Sequence, residues 1–249
     1  MLPWQQEGFG VFDQRANDTE FLDQENCDPT LAAASYRFME RVNNYFGGVR
    51  VVRRFLHREI QQHQLHSPIR ILDIGSGSCD IPLAVSRWAR RHDIPLQITC
   101  LEKMDSAIDI GRCQLAQAGD PALCLLQEDI FTYQPEQPYD YALASMCFHH
   151  FSNEQILVLL QRLRTFVKSS VLINDLRRSR WAAWAARFLL VGTASSSEVQ
   201  HDALLSIQRG FVISELDSVL RQLDDVTISV SPELWFRVAA VIRFKRVHS

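Results

Sequence analysis

The sequence predicts an α/β fold in which a seven-stranded, mostly parallel sheet carries helices on both faces. Three observations predict it. From Ser67 onward short apolar runs alternate with longer amphipathic ones, the pattern of strands joined by crossover helices. The last two apolar runs stand too close together for a helical crossover, so one strand near the C-terminus runs antiparallel. The first run ends in Gly75-Ser76-Gly77, a sharp turn between a strand and its helix.

Before the alternation begins the chain reads as helical. Phe38, Val42 and Tyr45 recur at helical spacing, as do Val49, Val52, Leu56 and Ile60, with Gly47-Gly48 dividing the two segments. No linker composition follows, so residues 1–66 form an extension of the main domain at 67–249. The first strand is Ile69–Ile74, and Ile81, Ala84, Val85 and Trp88 mark one face of the helix after it. Leu96–Leu101 is the second strand, followed by a helix through about Ala118; Ala122–Gln127 and Tyr139–Ala144 are the third and fourth strands. Ile156, Leu159, Leu160, Leu163 and Val167 form a helical stripe, and Val171–Leu176 is the fifth strand. Two helical segments then fill an insertion at about 177–210, before Val226–Val230 and Trp235–Phe244 close the sheet.

Composition bounds the function. The chain has 249 residues, 26 basic and 29 acidic side chains, a net charge of −3 and 47% hydrophobic residues, which excludes a disordered chain, a fibre and a coiled coil. With a pI near 6.2 and no lysine-arginine run, nucleic acid is not an expected partner. The six cysteines are widely separated, without C-x-x-C or histidine ligand spacing, so structural zinc is not expected and a reducing cytoplasm is the natural compartment. Met1–Gly10 shows no basic segment followed by an apolar one, hence no expected signal peptide. The apolar stretch Trp181–Ala194 contains Arg187 and falls short of the roughly 18 residues of a membrane span.

Three motifs carry chemistry. In Asp73-Ile74-Gly75-Ser76-Gly77-Ser78-Cys79-Asp80 the glycines let a ligand approach the backbone at the carboxyl end of the first strand, where open parallel sheets bind ligands. Glu102, followed by Lys103, ends the second strand, and its carboxylate can accept both hydroxyls of a ribose. Asp129-Ile130 follows the third strand, an acid for an adenine amino group beside an apolar neighbour for the ring. Two acids after consecutive strands, downstream of a glycine turn, favour an adenosine-containing ligand over a plain tight turn. Dinucleotide sites hold a pyrophosphate at the helix N-terminus. Here Asp80 would oppose that anion, while Asp73 suits a cation, which favours S-adenosylmethionine over NAD.

Ile71–Asp80, Glu102, Asp129-Ile130 and Ser145-Met146-Cys147-Phe148-His149-His150-Phe151 resemble the successive motifs of class I S-adenosylmethionine-dependent methyltransferases, and Pro232–Arg237 resembles the final strand pair of that Rossmann-like fold. Within the class the chain is most similar to small-molecule enzymes of the ubiquinone-methylase type. The resemblance implies that Gly75 and Gly77 line the methionine part of the cofactor, Glu102 the ribose, Asp129 and Ile130 the adenine, and Ser145 and Met146 the sulfonium, with Asp73, Ser76 and Lys103 also expected at the cofactor. Cys79 departs from the glycine usual at its position. The absence of an Asn-Pro-Pro-Tyr-like tetrapeptide disfavours adenine and glutamine methylases, and Ser145 in place of an aspartate implies no catalytic magnesium.

On the substrate side, His149, His150, Asp175 and His201 are the candidate catalytic groups, since histidine can take a proton from a phenol or enol. His149-His150 is also explicable as a loop pair bonded to backbone, and Asp202 as a helix-terminal acid. Arg177–Val191, basic and then strongly apolar, reads as a helix packed over the substrate pocket, with a membrane-surface or lipophilic-substrate contact as the second reading. The N-terminal helices read as a lid that excludes water. The expected activity is methyl transfer to oxygen, with carbon the second choice, of a small aromatic or polyketide-like metabolite, yielding S-adenosylhomocysteine (SAH). The expected partners are an aromatic or lipophilic substrate and, as monomer or homodimer, no integral membrane. The alternatives are a nicotinamide-dependent oxidoreductase and a catalytically silent cofactor-binding partner.

Overall fold

The computed structural model describes residues 12, 14–24, 27–62, 68–192 and 196–245; Met1–Gly10, Ser67 and Ala194, used above, lie outside them. Two helices come first, α1 (Pro29–Tyr45) and α2 (Gly48–Gln62). The alternating part follows as β1 (Ile69–Ile74), α3 (Asp80–Arg90), β2 (Leu96–Glu102), α4 (Asp105–Ala118), β3 (Leu123–Gln127), β4 (Tyr139–Ser145), α5 (Asn153–Leu163) and β5 (Val167–Leu176). Then come α6 (Arg180–Gly192), α7 (Ser197–Arg209), α8 (Ile213–Leu220), β6 (Val226–Glu233) and β7 (Arg237–Phe244). The sheet has seven strands in the order β3-β2-β1-β4-β5-β7-β6. β1 to β5 pair in parallel, and β7 runs antiparallel to both β5 and β6.

The start of β5, the β6–β7 turn and the helices between β5 and β6, three where two were expected, differ from the sequence reading. β5 begins at Val167 because Tyr139 pairs with Val167 across a register irregularity before Tyr141 resumes with Ser170. Trp235 belongs to a turn and not to the last strand: Trp235 and Phe236 take φ of 60° and 59°, so β6 runs on to Glu233 and β7 starts at Arg237. β3 passes to β4 without a helix, and α5 begins beyond β4 at a capping box in which Ser152 and Gln155 bond each other's backbone.

Side-chain alternation divides the core between the two faces. Ala142 and Ala144 of β4 pack with Ile156, Leu159, Leu160 and Leu163 of α5 and with Leu216 and Leu220 of α8. Their neighbours Tyr141 and Leu143 pack on the other face, with Val52, Phe55 and Leu56 of α2 and Val85 and Trp88 of α3. Strand period 2 thus meets helix period 3.6 on both sides. Val52 and Leu56 are completely covered, and each such side chain contributes about 2 kcal/mol. Residues before and after position 66 therefore share one core.

A buried ion pair sits within that face. Glu59 of α2, without exposed surface, accepts from Ser170 Oγ of β5 at 2.9 Å and from Arg243 Nε of β7 at 3.0 Å. Removing the carboxylate leaves Arg243 and Ser170 without this partner under α2, a loss of about 3 kcal/mol. Glu59→Ala should lower the urea midpoint accordingly at unchanged m, and a midpoint within experimental error of the parent would refute the assignment.

Candidate active site

The carboxyl ends of β1, β2 and β4 open into a cavity of about 520 Å³. On its floor the β1–α3 turn carries φ of +63° at Gly75 and +54° at Gly77. A Cβ on Gly75 would stand 2.6 Å from Cys147 Sγ, so a side chain is excluded there by both conformation and space. Ser76 Oγ donates to the Asp73 carbonyl at 2.9 Å, and the amides of Gly75 and Ser76 donate to the Leu101 carbonyl. Cys79, the departure from glycine, does adopt a left-handed φ of 64°. Its buried side chain fits because Gly111 of α4 lies opposite, where a Cβ would come within 3.2 Å of the sulfur.

The predicted acids stand at the rim of this floor. Glu102 accepts from the amides of Gly77 at 2.8 Å, Lys103 at 2.7 Å and Met104 at 2.9 Å. A carboxylate offers about four acceptor positions. The expected grip on both ribose hydroxyls is therefore narrowed, because three of these positions already accept from amides, that of Gly77 clamping the glycine turn to β2. Asp129 accepts from the Phe131 amide and from Lys103 Nζ, each at 2.9 Å, and the amide and Lys103 hold its carboxyl below the usual range against its partial burial. Ile130, Met104 and Phe151 supply apolar wall beside it. Two acids lie deeper: burial raises Asp73 to about 7 and Asp80 to about 6, with Asn43 Nδ2 donating to Asp80 at 3.0 Å.

Across the cavity a polar cluster surrounds His149. Asp175, buried at the end of β5, bonds His149 Nδ1 at 2.7 Å. His149 Nε2 carries no hydrogen bond and lies 3.6 Å from Glu20 Oε1, which accepts from Ser206 Oγ at 2.8 Å. Burial opposes charge on the imidazole, yet Asp175 and Glu20 outweigh it and raise His149 to about 9. His150 packs 4.2 Å from the His149 ring and bonds Asp23 through Nδ1 at 3.0 Å. Atoms of Glu20, His149 and His150 lie within 4.8 Å of one another, a spacing that could gather a metal ion. Arg209 Nη1, however, already places positive charge 3.7 Å from Glu20 and 3.3 Å from Asp23.

Glu20 and Asp23 come from the segment before α1, which Arg15 and Asp202 fix. Arg15 donates to the carbonyls of His149, Phe151 and Arg209, each at 3.0 Å. Asp202 of α7 accepts from the amides of Phe21 and Leu22. The same cluster leads into an apolar chamber of about 180 Å³ between α1, α6 and α7, bordered by Phe38, Val42, Phe46, Leu189 and Trp235. Met146, at a φ of 52° and with its sulfur 3.5 Å from Arg237 Nη2, lines both spaces.

The structure brings Asp73, Gly75, Ser76, Gly77, Glu102, Lys103, Asp129, Ile130, Ser145, Met146, His149 and His150 onto one cavity wall. Two catalytic candidates are placed otherwise. Asp175 is covered behind His149 and does not border the cavity, so it orients the ring and meets no ligand. His201 is exposed on α7, edge-on to Phe21, outside both spaces, because its neighbour Asp202 faces inward. Sequence reasoning missed Glu20, Asp23, Tyr36 and Arg209, which also border the cavity, as does Asn43 of the expected lid. No periodicity or motif marks the two acids; Tyr36 stands off the Phe38–Val42–Tyr45 stripe of α1, and only its packing against the Gly77 turn brings it to the cavity.

No protein-family model and no curated protein matches the chain. Solved structures do. The plantazolicin methyltransferase BpumL, in complex with a triazolic desmethylPZN analog and SAH, is 15% identical over 90% of this chain and 98% of its own, at a TM-score of 0.66. Magnesium protoporphyrin IX methyltransferase ChlM from Synechocystis, with bound SAH, is 8% identical over 80% of this chain and 82% of its own, at 0.54. The S-adenosylmethionine-dependent methyltransferase SibL, in its apo form, is 21% identical over 77% of this chain and 57% of its own, at 0.51. The chain has the class I methyltransferase fold.

His149 also sets a pH dependence. A histidine raised in the folded state stabilises it fully below the unfolded value near 6.5, and that stability is lost as pH rises through about 9. The difference in unfolding free energy between the parent and His149→Gln should therefore shrink from pH 6 to pH 9.5. Chemical denaturation across that range tests it, and a constant difference would contradict the charged pair.

Proposed function

We propose that the protein transfers a methyl group from S-adenosylmethionine to an oxygen of a small aromatic acceptor with an apolar body. The observation that carries this reading is a single cavity in which the glycine turn and the acids ending β2 and following β3 face a buried histidine whose Nε2 makes no hydrogen bond and lies 3.6 Å from Glu20. The comparisons support it through neighbours of the same fold that bind SAH.

The residues fit the cofactor by their donor chemistry. The backbone at Gly75 and Gly77 leaves room that a Cβ would fill. Asp73 offers a carboxylate that a nearby cation would draw into its ionised form. Glu102 keeps an acceptor position for ribose, and Asp129 with Ile130 would receive the adenine. When bound, S-adenosylmethionine supplies an electrophilic methyl group on a sulfonium. A nicotinamide dinucleotide fits less well, because Asp80 at the first turn of α3 stands where its pyrophosphate would lie.

His149 then handles the proton. Asp175 holds Nδ1 and leaves Nε2 toward the acceptor. Alone the imidazole is charged at neutral pH; positive charge brought into the adjoining cavity lowers its proton affinity and frees Nε2 as a base. The acceptor hydroxyl would give its proton to Nε2, leaving its oxygen to receive the methyl group as the methyl–sulfonium bond breaks and SAH is left, and Glu20, 3.6 Å away, would take the proton on. Glu20, Tyr36 and Met39, from the N-terminal segment and α1, exclude water above this point.

Titration calorimetry tests the cofactor: SAH should bind and NAD should not, and Glu102→Ala should weaken SAH at least about tenfold through loss of both the ribose acceptor and the clamp. Binding of NAD in place of SAH would overturn the reading. With a phenolic acceptor in hand, His149→Gln should lower kcat by about 10²–10⁴ while leaving SAH affinity nearly unchanged. An unchanged kcat would remove His149 from the chemistry.

A further inference from the structure

Helix α6 is apolar on both of its faces. Ala182, Ala183 and Leu190 face inward, and Ala185, Ala186 and Leu189 line the apolar chamber. On its outer side Trp181, Trp184 and Phe188, at helical spacing, are 75%, 58% and 70% exposed. Beside it the β6–β7 turn exposes Leu234 and Trp235, and Trp235 borders the same chamber. Five of the eight exposed large apolar side chains among the described residues thus lie on these two elements. An apolar helix face belongs in an apolar environment, and here protein covers only the inner of the two apolar faces.

Charge states what belongs on the other side. From Arg177 to Ser197 the sequence has Arg177, Arg178, Arg180 and Arg187 and no acidic residue, within a chain of net charge −3. Arg178 is turned inward onto Glu215, while Arg177 stands over the Phe236 ring beside the β6–β7 turn and Arg180 and Arg187 belong to α6. Tryptophan and phenylalanine beside arginine suit the boundary between acyl chains and anionic headgroups. A second copy of the chain suits it less: a two-fold contact through this face would set arginines against arginines.

We infer that α6 and the β6–β7 turn seat the protein on an anionic lipid bilayer, with Trp181, Trp184 and Phe188 inserted at the headgroup level. The chamber then opens at the membrane surface, so an apolar acceptor reaches the cavity without crossing water. That last consequence rests on the proposed methyl transfer; the docking does not.

Co-sedimentation of the full chain with vesicles tests it independently of activity. The protein should bind phosphatidylcholine–phosphatidylglycerol vesicles, bind phosphatidylcholine alone at least about tenfold more weakly, and be released by high salt. The triple variant Trp181→Ser, Trp184→Ser, Phe188→Ser should bind at least about tenfold more weakly with an unchanged thermal unfolding curve and SAH affinity. Arg180→Gln with Arg187→Gln should weaken only the phosphatidylglycerol-dependent part. Absence of binding to either vesicle, or equal binding by parent and triple variant, would overturn the inference. So would a concentration-dependent dimer in light scattering that the triple variant abolishes, which would assign the face to a second copy. Loss of SAH binding by the parent alone would instead count against the methyltransferase reading.

Discussion

A buried carboxylate organises the His149 side of the cavity. Asp175 has no exposed surface, and a charge in that position is tolerable only when fully partnered. His149 Nδ1 and the amides of His149 and Leu176 supply the partners. Satisfying Asp175 pins the short turn after β4 against the end of β5, which in turn fixes where Nε2 points. Glu20 is needed on the far side, since the imidazolium made stable by Asp175 otherwise lies buried with one nitrogen unattended. Arg15, Asp202 and Arg209 then hold the segment that delivers Glu20. A chain of electrostatic obligations thus runs from one strand end to the entrance of the site.

The cofactor side is organised by backbone geometry. The tight turn after β1 depends on positive φ at Gly75, Gly77 and Cys79, and the Glu102 carboxylate ties that turn to β2 through the Gly77 amide. The cysteine is accommodated by a glycine on a different element, Gly111, so a side chain gained at one position is balanced by one missing at another. The two halves meet at Met146, held at positive φ with its amide bonded to the Asn174 carbonyl. Asn174 Nδ2 also reaches Ser145 Oγ and the Gly48 carbonyl, tying the end of β5 to β4 and to the start of α2.

The α6 region shows how one segment can satisfy two readings of its sequence. Its inner face covers the apolar chamber, as a packed helix does, and its outer face remains apolar and aromatic, as a membrane-surface helix does. Composition alone could not choose between them because a helix with alanine between its aromatics has no polar side to orient it.

By itself the sequence determined the order of strands and of helices other than α8, the antiparallel close, the glycine turn and the acids Glu102 and Asp129, because each is local: a period of 2 or 3.6, a forced φ, a residue at a strand end. It also singled out His149 while leaving open whether it bonds backbone or ligand. Only the tertiary structure decided that Asp175 stands behind His149, that His201 faces solvent, that Trp235 turns a hairpin, and that Glu20 and Arg209 complete the cluster. These depend on contacts between residues such as Glu20 and His149, separated by more than a hundred positions. No local pattern encodes such a meeting; it follows from how the strands are ordered and which buried charge requires a partner.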